Sequence, residues 1–139
     1  MSLYSEIRDY LDADVTVNAQ AATVRIGWAA QSDSRPFIVI DPQSESRPAR
    51  NSANTGTKFE ASVDIHCHAT NFEDVHDIKE AIRKRLDHYR GTMGDVFISH
   101  CFLRSVDYEQ PSPRQAQEQG MFIARLSFSV CCTETNSEV

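Results

Sequence analysis

The sequence lacks the features that mark membrane and secreted proteins. No apolar run approaches the roughly 20 residues that a membrane-spanning helix needs, and the first segment, "MSLYSEIRDYLDAD", lacks the apolar stretch of a signal peptide. We therefore expect synthesis and folding in a cytoplasm, without a membrane partner. The 139 residues are the length of one domain with its own core, so a single domain spanning 1–139 is predicted.

Cysteine is too scarce, and too poorly spaced, for a disulfide scaffold. The chain has four cysteines. Cys131 and Cys132 are adjacent, and Cys67 and Cys101 lie inside strand-like runs. Nothing in this spacing indicates a disulfide framework, which agrees with a reducing compartment.

Basic residues are also in deficit. Lysine and arginine number 14 against 20 acidic residues, so the net charge is −6. This balance argues against a protein that grips nucleic acid by its phosphates, although DNA could still pass close by.

Sequence motifs of common catalytic sites are missing as well. The chain contains no G-x-S-x-G, phosphate-binding loop, G-x-G-x-x-G or C-x-x-C pair. Ser99 and His100 are neighbours on a predicted strand, where adjacent side chains point to opposite faces, so they cannot form a local dyad. We predict a protein that is not an enzyme, with no catalytic residues and no cofactor.

The strongest pattern that is present is the alternation in "TKFEASVDIHCHA", residues 57–69. Apolar and polar residues exchange at every position, which predicts a strand with one buried face. Cys67 belongs to the apolar set, whereas Asp64, His66 and His68 belong to the polar set.

Two segments have helical periodicity. Residues 3–12 repeat Leu3, Ile7 and Leu11 at four-residue spacing. After the alternating strand, Thr70 and Glu73 are spaced as a capping box. An apolar stripe that ends before Gly91 predicts a long central helix.

Further strands are predicted at "TVRIGW", "FIVI", "DVFISHCFLRSV" and "MFIARLSFSVCC", and polar loops at 41–56 and 107–120. Together these elements predict an α+β fold. Its mainly antiparallel sheet is packed by the N-terminal helix and one long central helix, and two long polar loops leave it.

The group "DIHCHA" raises the possibility of a metal site. His66 and His68 lie on one strand face, but Cys67 points away from them, and Asp64 and His68 are about 13 Å apart. A third ligand would have to come from His76 or His100. Exposed strand positions explain the same residues, so we predict no stoichiometric transition metal.

The two polar loops exceed the length that joining two strands requires. Loops of this kind are uncommon unless they are functional or disordered, and arginine pairs well with carboxylates on a partner surface. We predict that residues 42–56 and 109–119 contact partner proteins, with Arg47 and Arg50 as the main charged anchors. The full set of candidates is Arg47, Arg50, Asn51, Asn54, Glu109, Gln110, Arg114 and Gln117.

The order and spacing of these segments resemble the tail-completion, or tail-terminator, proteins of long-tailed phages. The resemblance rests on the N-terminal helix, "RPFIVI", the first loop, the unit "FEASVDIHCHATNFEDVHDIKEAIRKRLDHYRG", "LRSVDYEQ", the second loop and "GMFIARLSFSV". It covers roughly residues 24–130. His66 and His68 depart from the aromatic or small polar residues that the family often has at these places.

The resemblance implies a structural protein of the virion neck, at the head–tail joint. Members of this family form a ring, typically of six subunits, that caps the tail tube and joins it to the connector or stopper proteins of the head. DNA passes through the ring without specific binding, and an acidic lining would repel its phosphates.

Two other functions remain open from the sequence. One is another neck component, such as a head-closure ring, or a relative in a non-phage contractile particle. The other is a small metal-dependent enzyme that uses His66 and His68.

Overall fold

The computed structural model describes residues 3–14, 17, 23–27, 36–46, 57–109 and 122–134. In chain order the elements are α1 (Leu3–Ala13), β1 (Thr23–Ile26), β2 (Phe37–Ser46), β3 (Thr57–Ala69), α2 (Phe72–Leu86), β4 (Gly91–Met93), β5 (Val96–Glu109) and β6 (Phe122–Glu134).

The strands form one sheet in the order β1-β2-β3-β6-β5-β4. β1 pairs with β2 in parallel, and the other neighbours are antiparallel. The centre of the sheet is the pair β3–β6, which is in register along its whole length, from Thr57 opposite Glu134 to Ala69 opposite Phe122.

The alternation predicted in 57–69 is confirmed, and it places the core. Phe59, Val63, Ile65 and Cys67 are all at most 2% exposed, and they join one apolar cluster with side chains of both helices. α1 contributes Leu3, Ile7 and Leu11 to this cluster, as its four-residue spacing predicts. Neither helix of the described residues has the length and apolar character needed to cross a bilayer.

The predicted fold class, a sheet packed by an N-terminal helix and a long central helix, is wrong. The structure is a curled six-stranded sheet, a half-barrel, in which strands far outweigh the two helices of the described residues. The 15 residues of α2 span roughly 22 Å, whereas the 14 residues of β5 reach about 45 Å. The helix α2 is therefore only about half as long as β5, and the sheet is the larger part of the fold.

The additional strand residues lie in polar segments that the sequence predicts as loops. Residues 41–46 were predicted as loop, yet β2 continues through them, with Asp41 opposite Asp64 and Ser46 opposite Glu60. Likewise, β5 runs through residues 107–109 to Glu109. Backbone hydrogen bonds to a neighbouring strand do not require apolar side chains, so a polar segment extends a ladder equally well. The rest of both predicted loops lies outside the described residues.

The curl has an identifiable origin in irregular pairing. The register shifts between Pro42 and Ser44 in β2, and in β5 between Ile98 and His100 and between Leu103 and Ser105. A bulge adds a residue to one strand, bends it and increases its twist. One such shift in β2 and two in β5, on either side of the regular β3–β6 pair, favour a curled sheet over a flat one.

The ends of α2 also differ from the prediction. Asn71 is the N-cap, and its Oδ1 accepts a hydrogen bond from the Asp74 backbone N–H at 2.8 Å. The predicted capping box from Thr70 is therefore wrong. The helix ends at Leu86, and the short strand β4 precedes a turn in which Gly94 has a φ of +60°.

Candidate functional site

The two faces of the sheet differ in what covers them. Both helices of the described residues pack on one face, which we call the helix face. The opposite face, which we call the second face, carries the alternate side chains of β2, β3, β6 and β5. On β3 these are Lys58, Glu60, Ser62, Asp64, His66 and His68. Candidate functional groups therefore concentrate on the second face.

His66 and His68 lie on the second face, as predicted, and they stack. Their ring centroids are 6.3 Å apart, and the ring of His68 stacks on Phe37 at 4.6 Å. His66 Nε2 lies 3.8 Å from Asp41 Oδ2, too far for a hydrogen bond, and among the described residues it is a buried nitrogen without a hydrogen-bond partner. This is an aromatic stack beside a carboxylate.

The two histidines that were predicted as possible third ligands lie elsewhere. His76 is on α2, where its ring stacks on Phe72 at 6.1 Å. His100 is opposite Cys131 of β6, whereas His66 is opposite Arg125. Six positions along β6 correspond to about 20 Å. Among the described residues, the structure therefore brings neither of these two candidates to His66 and His68.

A polar groove crosses the middle of the sheet. It has a volume of about 410 Å³. Arg125 lies next to the groove and forms two ion pairs. Its Nη2 lies 3.6 Å from Asp107 Oδ2, and its Nη1 lies 3.8 Å from Glu109 Oε1. Both carboxylates are exposed and Arg125 is half-buried, so the ion pairs contribute little to stability. The groove is lined by Gln43, Ser62, Asp64, Arg104, Ser105, Ser127 and Phe128.

A second group of metal-ligating side chains lies towards the other end of the second face. Glu60 of β3, Cys131 of β6 and His100 of β5 are neighbours across three adjacent strands. Their ligand atoms all lie within 4.8 Å of one another. Sequence analysis missed this group because its members are separated by 31 residues or more along the chain.

The four cysteines are in different environments. Cys67, Cys101 and Cys132 belong to the core, and Cys131 is at a position on the second face. Burial raises the pKa of the Cys67 thiol and raises the pKa of Cys101 to about 12. These two core thiols stay protonated and unreactive at neutral pH.

One edge of the sheet is only partly covered. β4 pairs with β5 over Val96–Ile98 alone. Next to it, His88 N–H donates to the Cys101 carbonyl at 2.7 Å, and Leu103 N–H donates to Asp87 Oδ1 at 3.0 Å. Beyond them, no strand of the described residues pairs with the outer edge of Ser105–Glu109, which we call the free edge.

Exposed aromatic side chains accompany this region. Phe72, Phe97, Phe102 and Tyr108 are the large hydrophobic residues exposed by 40% or more among the described residues, and three of them belong to β5. The rings of Phe72 and Tyr108 are in contact at 5.4 Å, beside the free edge. An unpaired strand edge next to exposed aromatic rings is typical of a surface that meets another protein.

Only one of the eight predicted interaction residues lies within the described residues. Glu109 is described, at the end of β5, where its carboxylate faces Arg125. The other candidates, Arg47, Arg50, Asn51, Asn54, Gln110, Arg114 and Gln117, lie outside the described residues. Their contacts stay a prediction.

The similarity of this chain to known proteins lies in its fold. The chain matches no protein-family model and no curated protein. It is similar to a chain in a solved structure, the virion of a native gene transfer agent (GTA) particle. The similarity covers 95% of each chain, with 14% sequence identity and a TM-score of 0.67. The two chains share a fold.

Proposed function

We propose that this protein is a structural, non-enzymatic subunit of a phage or phage-like virion, and that it belongs to the neck. Six copies form a ring that terminates the tail tube and joins it to the connector or stopper proteins of the head. The observation that supports this most is the shared fold with a chain of the GTA virion particle, which extends over 95% of both chains. The resemblance of the sequence to tail-terminator proteins supports the finer assignment.

The free edge offers a physical route to a ring. Ser105–Glu109 present backbone donors and acceptors that a neighbouring copy can pair with, and Phe72 and Tyr108 add apolar area beside them. An edge contact with a different surface of the next copy is head-to-tail, and such contacts close into rings when the rotation permits.

The net charge of −6 suits a ring through which DNA slides. An acidic subunit repels phosphates, so it does not retain the DNA that must leave the head. We therefore propose that DNA passes through the ring without specific binding.

The most direct test is a cryo-electron microscopy map of particles that contain this protein. We expect a closed ring of this chain between the tail tube and the head connector. Isolated copies without closed symmetry would contradict the ring. A ring at another level of the neck would support the head-closure alternative instead.

A paired substitution tests whether the ring forms at the free edge. Phe72 and Phe97 are both 43% exposed, but Phe97 is opposite Thr92 of β4, where the edge is covered. We expect Phe72→Ser to block assembly of joined particles, and Phe97→Ser to leave assembly intact. Equal effects of both variants would mean that the free edge has no special role.

The predicted loop contacts need a test of their own. Since β2 extends to Ser46, the segment to shorten is 47–56, which contains Arg47 and Arg50. Replacing it by a four-residue turn should leave the subunit folded, because a shorter loop closes more easily, while heads and tails should accumulate unjoined. Fully joined, infectious particles would show that the segment is a tolerated insertion.

A further inference from the structure

Glu60, His100 and Cys131 form a row on the second face whose chemistry the neck function does not use. Cys131 occupies the middle strand, β6, with Glu60 opposite it on β3 and His100 opposite it on β5. Directly opposed residues on neighbouring strands have Cβ atoms about 4.5–5.5 Å apart. The two longer side chains therefore flank a short one and can converge above it.

Although the sequence predicts no stoichiometric transition metal, we propose that Glu60, His100 and Cys131 bind a single zinc ion. In a tetrahedral site with bonds of about 2.0–2.3 Å, neighbouring ligand atoms are roughly 3.3–3.8 Å apart. The ligand atoms here lie within 4.8 Å of one another, so a shift of about 1 Å completes the geometry. Glu60 is exposed and can make that adjustment by rotating its side chain.

The backbone is shaped for this arrangement. The register of β5 shifts between Ile98 and His100, so that His100 is opposite Cys131. Strict alternation from Phe97, which is opposite Thr133 on the second face, would have sent Ser99 to this face and His100 to the core. Bulges often re-aim a side chain at functional sites, and this one brings the imidazole beside the thiol.

The ligand atoms are available and the imidazole is held in place. In the part of the chain that the structure describes, the three side chains make no hydrogen bond or ion pair with other residues. The ring of His100 stacks on Phe102 at 4.9 Å and 21°, which limits its rotation. Cys131 is 4% exposed, so the metal would lie over a mostly buried sulfur, with its fourth position open to water.

The kinds of donor decide which metal fits. A thiolate with an imidazole favours zinc, or cobalt as its spectroscopic substitute, whereas magnesium and calcium prefer oxygen ligands alone. Zinc binds the thiolate form of cysteine, so metal uptake should be accompanied by release of protons.

The test uses the full chain without a histidine tag, freed of metal with a chelator and titrated with Co²⁺ and then Zn²⁺. We expect one ion per chain, a sulfur-to-cobalt charge-transfer band, and displacement of cobalt by zinc. Cys131→Ser should abolish the band. His100→Ala and Glu60→Gln should each weaken binding by more than the roughly 10–100-fold that loss of an outer-sphere partner costs.

Matched controls lie on the same face of β3. His68→Ala removes an imidazole and Asp64→Asn a carboxylate away from the proposed site, and both should leave binding unchanged. Circular dichroism of each metal-free variant checks its folding. If Cys131→Ser does not fold, His100→Ala and Glu60→Gln decide the matter, because their side chains are not part of the core.

Three results would overturn the site: no saturable uptake of either metal, a charge-transfer band that persists in Cys131→Ser, or loss of binding in the His66→Ala/His68→Ala double variant. None of them bears on the proposed virion role, since a neck ring requires no metal in this second-face row.

Discussion

The helix face and the second face are built from alternate residues of the same strands, yet they have different physical roles. On β3, the helix face has Phe59, Val63 and Ile65, all buried. The second face of the same strand has three acidic or basic residues, a serine and two histidines. The first set stabilises the fold by burying apolar area, and the second set is free to vary with function.

The difference shows where in this protein a function can be placed without loss of stability. Replacing an exposed residue of the second face changes chemistry at little cost, because the neighbouring residue on the helix face keeps the strand in position. Neither the zinc row nor the free edge contains a residue of the buried apolar cluster, and within the row only Cys131 is buried.

The division into a helix face and a second face predicts that adjacent residues of β3 contribute unequally to the free energy of unfolding. Ile65 is fully buried, so Ile65→Ala should lower the free energy of unfolding by about 2–5 kcal/mol, through lost burial and the cavity left behind. Asp64→Ala, one residue away on the second face, should change it by less than about 0.5 kcal/mol. Urea denaturation measures both, and comparable losses would refute the division into two faces.

The next largest effect is expected at Gly94, which the Glu6 side chain of α1 approaches closely. Gly94 has a φ of +60°, and a Cβ there would overlap the carboxylate of Glu6, which is 7% exposed. Gly94→Ala should therefore destabilise the protein by about 2 kcal/mol, chiefly from the left-handed backbone conformation, with a smaller part from the shift of the Glu6 side chain. Thermal unfolding would measure it.

The control for this prediction is Gly27, which has a φ of +85° but nothing within 4 Å of the added carbon. Gly27→Ala should show the backbone strain alone, about 1 kcal/mol. If both substitutions have the same effect, the approach of Glu6 to Gly94 contributes nothing to stability.

A smaller loss of stability is expected at Asn71, the N-cap of α2, which follows β3. Asn71→Ala removes the bond to the Asp74 N–H and should cost about 1 kcal/mol, whereas Asn71→Ser should retain most of the stability. Thr70→Ala should be nearly silent, since Thr70 is not the cap. A larger loss at Thr70 than at Asn71 would restore the capping box predicted from the sequence.

The smallest effect concerns the ion pairs of Glu80 on α2, a side chain that is partly exposed. Glu80 accepts hydrogen bonds from Arg83 Nη2 at 2.8 Å and Lys79 Nζ at 2.5 Å. These bonds lower the pKa of the Glu80 carboxyl from 4.5 to about 2. A lowered pKa stabilises the fold above about pH 4.5, and that contribution disappears as the pH falls towards 2.

Glu80→Gln should therefore cost less than about 1 kcal/mol at pH 7, because solvent screens the pair. The difference from the unaltered protein should shrink between pH 4.5 and pH 2. Urea denaturation at several pH values measures this, and a difference that is independent of pH would show that the charge is irrelevant.

Much of the local structure was predictable because its signal lies in neighbouring residues. The period-2 alternation of 57–69 places β3 and sends Cys67 into the core, and the spacing of Leu3, Ile7 and Leu11 places α1. These patterns depend on which side chains avoid water, and that information is local. The placement of His66 and His68 on the polar face followed from the same rule.

The curl of the sheet, the extension of β2 through Ser46 and the cap at Asn71 were not predictable in this way. Strand pairing uses backbone groups that every residue carries, and a bulge depends on the partner strand as much as on its own residues. The position of His100 beside Cys131 and Glu60 depends on both.

The sequence by itself determined which residues avoid water, the helices and central strands that follow from this, and the acidic charge. Only the tertiary structure decided that the sheet curls into a half-barrel, that His100 faces Cys131, and that no described strand pairs with the outer edge of the end of β5. The reason is physical. Apolar periodicity acts over a few residues, whereas register, bulges and free edges arise from pairing between segments distant along the chain.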